Sequence, residues 1–125
     1  QTRCVLSERA QLYLAPSDKG MAWPTPRYTP LRHVDTNADW HLVEDFEGDR
    51  FWVHNQYVTD NGFLICGVLK TMATAYSGPG PDHELVGTLP ALMGLRIVEY
   101  TSGWIHGVSS DDREVWVPEA TVKIF

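Results

Sequence analysis

The chain has 125 residues and a net charge of −6, because 16 acidic residues outnumber 10 lysines and arginines. Binding to nucleic acid or to anionic lipid needs clustered positive charge, so this balance argues against both kinds of partner. The longest unbroken apolar run, FLICGVL, has seven residues. A membrane-spanning helix needs about 20. We therefore expect no nucleic-acid partner and no embedding in a membrane.

Short alternating or β-branched segments recur along the chain and are separated by turn clusters of Gly, Asp and Ser. The longest stretch without Gly or Pro runs only from Leu31 to Glu47, and the polar segment Asp35–Asp39 divides it. The strand-like segments are Leu31–Val34, Trp40–Glu44 and Arg50–Asn55, and then Leu95–Tyr100, Trp104–Ser109 and Glu114–Pro118. No periodicity supports a helix longer than about three turns, so the sequence predicts an all-β fold.

The two halves of the chain repeat each other. Residues 30–58 align with residues 94–122 without a gap, so that Trp40 matches Trp104 and Trp52 matches Trp116. Upstream, residues 10–16 and 72–79 correspond only with a one-residue shift, and the proline-rich loop 17–29 has no counterpart. The repeat predicts two small units, residues 1–61 and 64–125, each near the lower size limit for independent folding.

The strand patterns also predict which side chains form the two cores. The predicted core residues are Leu31, Leu42, Val43, Val53 and Val58 in the first unit, and Leu95, Ile97, Val108, Val117 and Val122 in the second. Trp52 and Trp116 stand inside hydrophobic strands, so we assign both to the core or to the contact between the units.

The two cysteines, Cys4 and Cys66, each stand near the start of one half and look like equivalent positions. One interpretation is a disulfide that joins the two units at their entry strands and implies an oxidising compartment. The other is a pair of buried free thiols. We predict that Cys4 and Cys66 are either disulfide-bonded or placed close to the junction of the units.

The order of these features resembles the bacterial SH3 family, the cell-envelope relatives of signalling SH3 domains. Each half has a variable loop, a hydrophobic strand, a turn that ends in Asp39-Trp40 or Gly103-Trp104, a further strand and a short acidic hairpin. The first half then closes with an aromatic-Val-x-x-x-Tyr-Val segment, Trp52–Val58. The resemblance covers nearly the whole chain and implies two tandem small SH3-like barrels, each five-stranded and strongly bent.

The resemblance also implies a function. Members of this family usually serve as targeting or scaffolding modules, often attached to cell-wall hydrolases, and some bind peptidoglycan peptides. We therefore expect a non-catalytic module, periplasmic or secreted after removal of a signal peptide, that recognises cell-wall peptide or a protein segment. One alternative is a scaffold whose barrels pack on each other or on a partner, and another is a small hydrolase that uses His and Asp residues.

The ligand surface of the wider fold is a shallow aromatic groove. Carried onto this sequence, the resemblance places Tyr13, Trp40, His54 and Tyr57 in the groove, with Trp23 and Tyr28 of the long loop as one wall. The matching positions of the second unit are Tyr76, Trp104, Pro118 and Thr121. Because Thr121 departs from the aromatic pattern, we predict the groove in the first unit. Trp40 and Trp104 each begin a strand. The alternative to a groove role is that each of these side chains only caps the core of its own barrel.

Charge near this groove favours one kind of ligand. Asp18, Asp39 and Glu44 are predicted to lie nearby, and opposite charge would favour a ligand that carries an amine, Lys or Arg group.

Other motifs predict no catalytic residue, metal or cofactor. The five histidines, interpreted as surface or groove residues, are His33, His41, His54, His83 and His106, and no Ser or Cys nucleophile stands in a recognisable setting. Asp35–Asp39 imitates the start of a calcium loop, but Trp40 replaces the required glycine and Phe46 the bidentate Glu. The glycine-rich segment 77–85 lacks the Lys-Ser/Thr of a phosphate loop.

Overall fold

The computed structural model describes residues 2–59 and 64–124 as two antiparallel sheets of seven strands each. The strands of the first unit are β1 Thr2–Val5, β2 Gln11–Tyr13, β3 Ala22–Pro24, β4 Pro30–Asn37, β5 Trp40–Glu44, β6 Arg50–His54 and β7 Val58–Thr59. Those of the second are β8 Cys66–Leu69, β9 Ala73–Tyr76, β10 Leu85–Leu89, β11 Gly94–Thr101, β12 Trp104–Ser109, β13 Glu114–Pro118 and β14 Val122–Lys123. The predicted all-β class with two tandem units is confirmed, whereas each sheet has seven strands rather than the five that the resemblance implied.

The two sheets have the same topology. The strand order is β3-β2-β6-β5-β4-β1-β7 in the first and β10-β9-β13-β12-β11-β8-β14 in the second. Each unit also has a one-turn 3-10 helix, at Asn55–Tyr57 and Glu119–Thr121, immediately before its last strand. The predicted boundary between 61 and 64 falls largely on residues 60–63, which lie outside the described ranges, so those limits stay a prediction.

The long strands β4 and β11 bend because each carries a register shift. The pairing of β4 with β5 shifts between His33 and Asp35, and that of β11 with β12 shifts between Ile97 and Glu99. Such an irregularity increases the local twist and lets one strand serve two parts of a curved sheet. Accordingly β4 pairs with β1 through its first residues and with β5 through the rest.

Two separate clusters of buried side chains form the cores, one in each unit. The predictions of Leu31, Val43, Val53, Leu95, Val117 and Val122 as core residues are confirmed. Val58 and Ile97 are partly buried and pack against these clusters. Leu69, Leu89, Ile105 and Val115 are further members of the second core that the pattern did not single out.

Four predicted core positions are wrong, for one reason. Neighbouring residues of a strand point to opposite faces, so Leu42 cannot share a face with Val43 and is only half-buried. In β12 the core face is taken by Ile105, which leaves Val108 on the other face. Trp52 and Trp116 likewise alternate with core valines and are half-buried on the outer face.

The units are joined covalently by a disulfide between Cys4 and Cys66, both almost completely buried. This confirms the first of the two interpretations of the cysteines. The two positions are not equivalent, however: the sheet register pairs Arg3 with Leu31 and Gly67 with Leu95, so Arg3 matches Gly67. Cys4 therefore corresponds to a position two residues beyond Cys66.

Arg27 supplies a second link between the units. Its guanidinium contacts the carboxylate of Asp112, in the turn between β12 and β13 of the second unit, and lies 3.9 Å from a Glu8 oxygen. Next to it, the backbone of residues 27–29 lies directly on Gly94 at the start of β11. The long loop of the first unit is thus packed against the second.

One end of the first core carries two histidines where the second unit has isoleucines. His33 and His41 match Ile97 and Ile105, and the two imidazole rings lie 5.0 Å apart. The Nε2 atom of His33 lies 2.8 Å from the Thr36 hydroxyl. Burial, followed by the nearby charge of Arg3, lowers the pKa of His33 below its ordinary value.

We expect His33 to make stability depend on pH. A lowered pKa means that the folded state binds the proton less tightly than the unfolded state. The contribution of His33 is therefore present above about pH 6.5, its unfolded value, and is lost as the pH falls below it. A His33→Ile variant should lose less free energy of unfolding between pH 7.5 and 5 than the wild type. The measurement is urea unfolding at both pH values.

An unchanged pH dependence in this variant would contradict the assignment to His33.

Candidate aromatic groove

The outer face of the β5–β6 hairpin collects aromatic side chains because of its register. Trp40 pairs directly with His54, and Leu42 pairs with Trp52, which in turn pairs with Tyr13 of β2. Residues opposite each other in an antiparallel pair lie on the same face, with Cβ atoms about 5 Å apart. These five side chains therefore share the face opposite to the core.

Four of the predicted groove residues form one continuous row of rings. The Tyr13 ring lies 5.5 Å from the Trp40 ring, at an interplanar angle of 90°. Trp40 lies 5.2 Å from His54, and His54 lies 6.2 Å from Tyr57, both in edge-to-face arrangement. All four side chains are half-buried, so each one packs against the sheet and still presents part of its ring to solvent. Amphipathic rings held in this way are typical anchors in recognition surfaces.

The 3-10 turn fixes the orientation of the histidine in this row. The Nδ1 atom of His54 accepts a hydrogen bond of 3.2 Å from the backbone N–H of Gln56, so His54 caps the turn Asn55–Tyr57. A neutral imidazole whose Nδ1 accepts carries its proton on Nε2. His54 can therefore present one N–H donor from a fixed position between Trp40 and Tyr57.

Trp23 and Tyr28, the two aromatic residues of the long loop, make contacts outside the row. Trp23, 38% exposed, stacks at a tilt on Phe51 with ring centroids 5.7 Å apart. Tyr28 lies beneath the Arg27 guanidinium, 4.7 Å from its ring centroid, and adopts a positive φ of 71°. Neither contact is with the row itself, so their role as a wall of the groove stays a prediction.

Sequence reasoning missed two members of this surface. Leu42 was assigned to the core, and Trp52 to the core or to the contact between the units, yet the register places them beside Trp40 and Tyr13. The signal was available, because both residues stand two positions from a predicted groove residue and a strand alternates with a period of two.

The second unit carries a related but different surface. Tyr76 lies 5.9 Å from Trp104, as the alignment predicted. Beside them, the rings of His106 and Trp116 stack 4.6 Å apart and nearly parallel, at 8°. At the position of Tyr57, Thr121 donates a hydrogen bond of 2.6 Å from its hydroxyl to the Pro118 carbonyl. The Thr121 hydroxyl and the Pro118 carbonyl are thus hydrogen-bonded to each other at the position where the first unit presents the Tyr57 ring.

The charges near the row are partly neutralised. The Glu44 carboxylate contacts Arg32 and accepts a hydrogen bond of 3.1 Å from Arg50 Nε. Hydrogen bonding to Arg50, and then to Arg32, lowers the pKa of Glu44. Two cations thus accompany this carboxylate, whereas Asp18 and Asp39 are exposed. Attraction of a cationic ligand by Asp18 and Asp39 stays a prediction.

Within residues 2–59 and 64–124, no three His, Cys, Asp or Glu side chains are close enough together to hold a metal ion. In the same ranges no helix has the length and apolar character needed to cross a membrane.

No family model matches this chain, and no curated protein does. Among solved structures, the chain is similar to the structure of NlpC2 from Trichomonas vaginalis, with 10% identical residues and a TM-score of 0.44. The match covers 98% of this chain and 47% of that one. The chain therefore spans about half the length of that structure, and its fold is assigned from its own strand order and register.

Proposed function

We propose that this chain is a non-catalytic binding module of the bacterial SH3 type that recognises a peptide segment, of cell wall or of protein, through the aromatic row of its first unit. The observation that carries the proposal is the continuous row of four half-exposed rings from Tyr13 to Tyr57. Large rings fixed by a sheet lose little conformational entropy when a ligand covers them, so they bind extended chains efficiently.

The disulfide supports the proposed compartment. A buried disulfide that joins two units forms and persists in an oxidising environment, which supports a periplasmic or secreted location.

A structural role for the second unit is the second candidate, and the His106–Trp116 stack favours it. Two rings that stack on each other in parallel cover one another's faces and leave less ring surface for a ligand. In that case the second unit holds the first in place and adds little binding energy of its own.

Two matched variants test the proposal, Trp40→Ala and Trp104→Ala. Both remove a half-buried tryptophan that begins the equivalent strand of its unit. Loss of an aromatic anchor should cost Trp40→Ala about 2 kcal/mol of binding free energy, roughly thirtyfold in Kd, and Trp104→Ala much less. The measurement is calorimetric titration with purified wall peptides and with basic peptides, on variants whose circular dichroism is unchanged. Equal losses from both variants, or a loss from Trp104→Ala alone, would contradict the assignment.

A further inference from the structure

A cavity of about 150 Å³ lies between the two units, away from the aromatic row. Its walls come from Leu12 and Leu31 of the first core, from Val68 and Leu92 of the second unit, and from Phe46 at the tip of the β5–β6 hairpin. The space is partly open to solvent, and its volume is comparable to that of one aromatic ring or one branched aliphatic group.

Thr29 brings an unsatisfied polar group to this cavity. Thr29 lines the cavity and is 8% exposed, and its Oγ1 has no hydrogen-bond partner within the described parts of the chain. A buried hydroxyl without a partner is costly, so such groups normally find one. Pairing of a guest with this oxygen would require a rotation about the Cα–Cβ bond that turns the hydroxyl toward the cavity.

Carboxylates stand at the edge of the same cavity. Asp45 and Glu47 both line it, on either side of Phe46, and Glu47 is exposed. Asp45 holds the hairpin by accepting backbone hydrogen bonds of 3.0 and 2.9 Å from Glu47 and Asp49, which fixes the position of this acidic edge. An apolar site with one inner hydrogen-bonding group and a negative rim selects for a particular ligand chemistry.

We propose that this cavity is a binding site for an amphipathic amine whose apolar end is the size of a phenol ring. The ring would fill the space between Leu12, Leu31 and Val68, and its oxygen would pair with the Thr29 hydroxyl. The ammonium group would lie at the Asp45–Glu47 edge. This site is independent of the proposed peptide-binding row.

Phenol and benzene test the inner half of the site, with binding followed by chemical-shift changes in ¹⁵N-labelled protein. Thr29→Val keeps the shape of the side chain and removes only the hydroxyl. We expect this variant to bind phenol about fivefold more weakly, the value of one hydrogen bond, and to bind benzene as the wild type does. Equal changes for the two probes, or shift changes that avoid Val68 and Leu92, would overturn the proposal.

Tyramine and tyrosyl-alanine test the acidic edge. Glu47→Gln should weaken tyramine binding about threefold and leave phenol binding unchanged, because only tyramine carries the charge. Binding of both probes would assign the site to the amino-terminal tyrosine of a peptide, and binding of tyramine alone would assign it to a free amine. If neither tyramine nor tyrosyl-alanine binds, the proposal is overturned.

The Trp40→Ala variant tests whether this site is separate from the row. It should bind tyramine as the wild type does, with the same chemical-shift changes at Val68 and Leu92. Loss of those shifts in Trp40→Ala would overturn the independence of the two sites.

Discussion

Replacing both cysteines by alanine is expected to lower the free energy of unfolding by about 4 kcal/mol. The disulfide joins residues 62 positions apart, so its removal gives the unfolded chain a large additional conformational freedom. The measurement is urea unfolding of the Cys4→Ala, Cys66→Ala variant.

Wild-type protein treated with a reducing agent is the control, because it loses the bond and keeps both side chains. The reduced wild type and the double variant should lose similar amounts of stability. A loss below about 1 kcal/mol in both would mean that the unfolded chain gains little conformational freedom when the disulfide is removed, or that the bond strains the native state.

Replacing Gly94 by alanine is expected to cost about 2 to 3 kcal/mol of stability, because the added methyl group would overpack a contact between backbones. A Cβ atom at this position would lie 2.4 Å from the Arg27 carbonyl oxygen and 2.6 Å from the Tyr28 carbonyl carbon. Backbone atoms cannot rotate away as a side chain can. The loop that carries Arg27 must therefore move off the second unit, and its contact with Asp112 should be lost.

Gly107→Ala is the matched control, since Gly107 is also a buried strand glycine of the second unit. Its added Cβ would lie 3.1 Å from the Arg96 carbonyl oxygen, within the second unit itself. Urea unfolding gives the stability of both variants, and backbone amide shifts of residues 27–29 report the contact between the units. Shifts of that segment in Gly107→Ala equal to those in Gly94→Ala would contradict the explanation.

The sequence alone predicted the repeat and most of the long strands, because their signals are local. The spacing of Trp40, Trp52, Trp104 and Trp116 fixed the alignment, and β5, β6 and β13 begin and end within one residue of the predicted segments. The row of groove rings depended on the family resemblance, and the structure brings its four members into one line.

Other features could not be read from local patterns. β3 lies in a proline-rich loop, where Ala22–Pro24 forms an edge strand, and an edge is where a sheet tolerates proline. The cavity beside Thr29 is made by residues 12, 29, 46 and 68, which are distant in sequence and meet only because the two units pack together. Trp52 and Leu42 were predicted on the wrong face because the prediction followed their hydrophobicity rather than the alternation of side chains along a strand.

The offset of the two cysteines decides the symmetry of the pair. A twofold axis through the disulfide would have to exchange Cys4 with Cys66, but the sheet register matches Cys4 with Val68 and Cys66 with Thr2. An exact twofold axis through the disulfide is therefore excluded, because the bond joins non-equivalent positions of the two entry strands. The two units thus form an asymmetric pair whose members are not interchangeable.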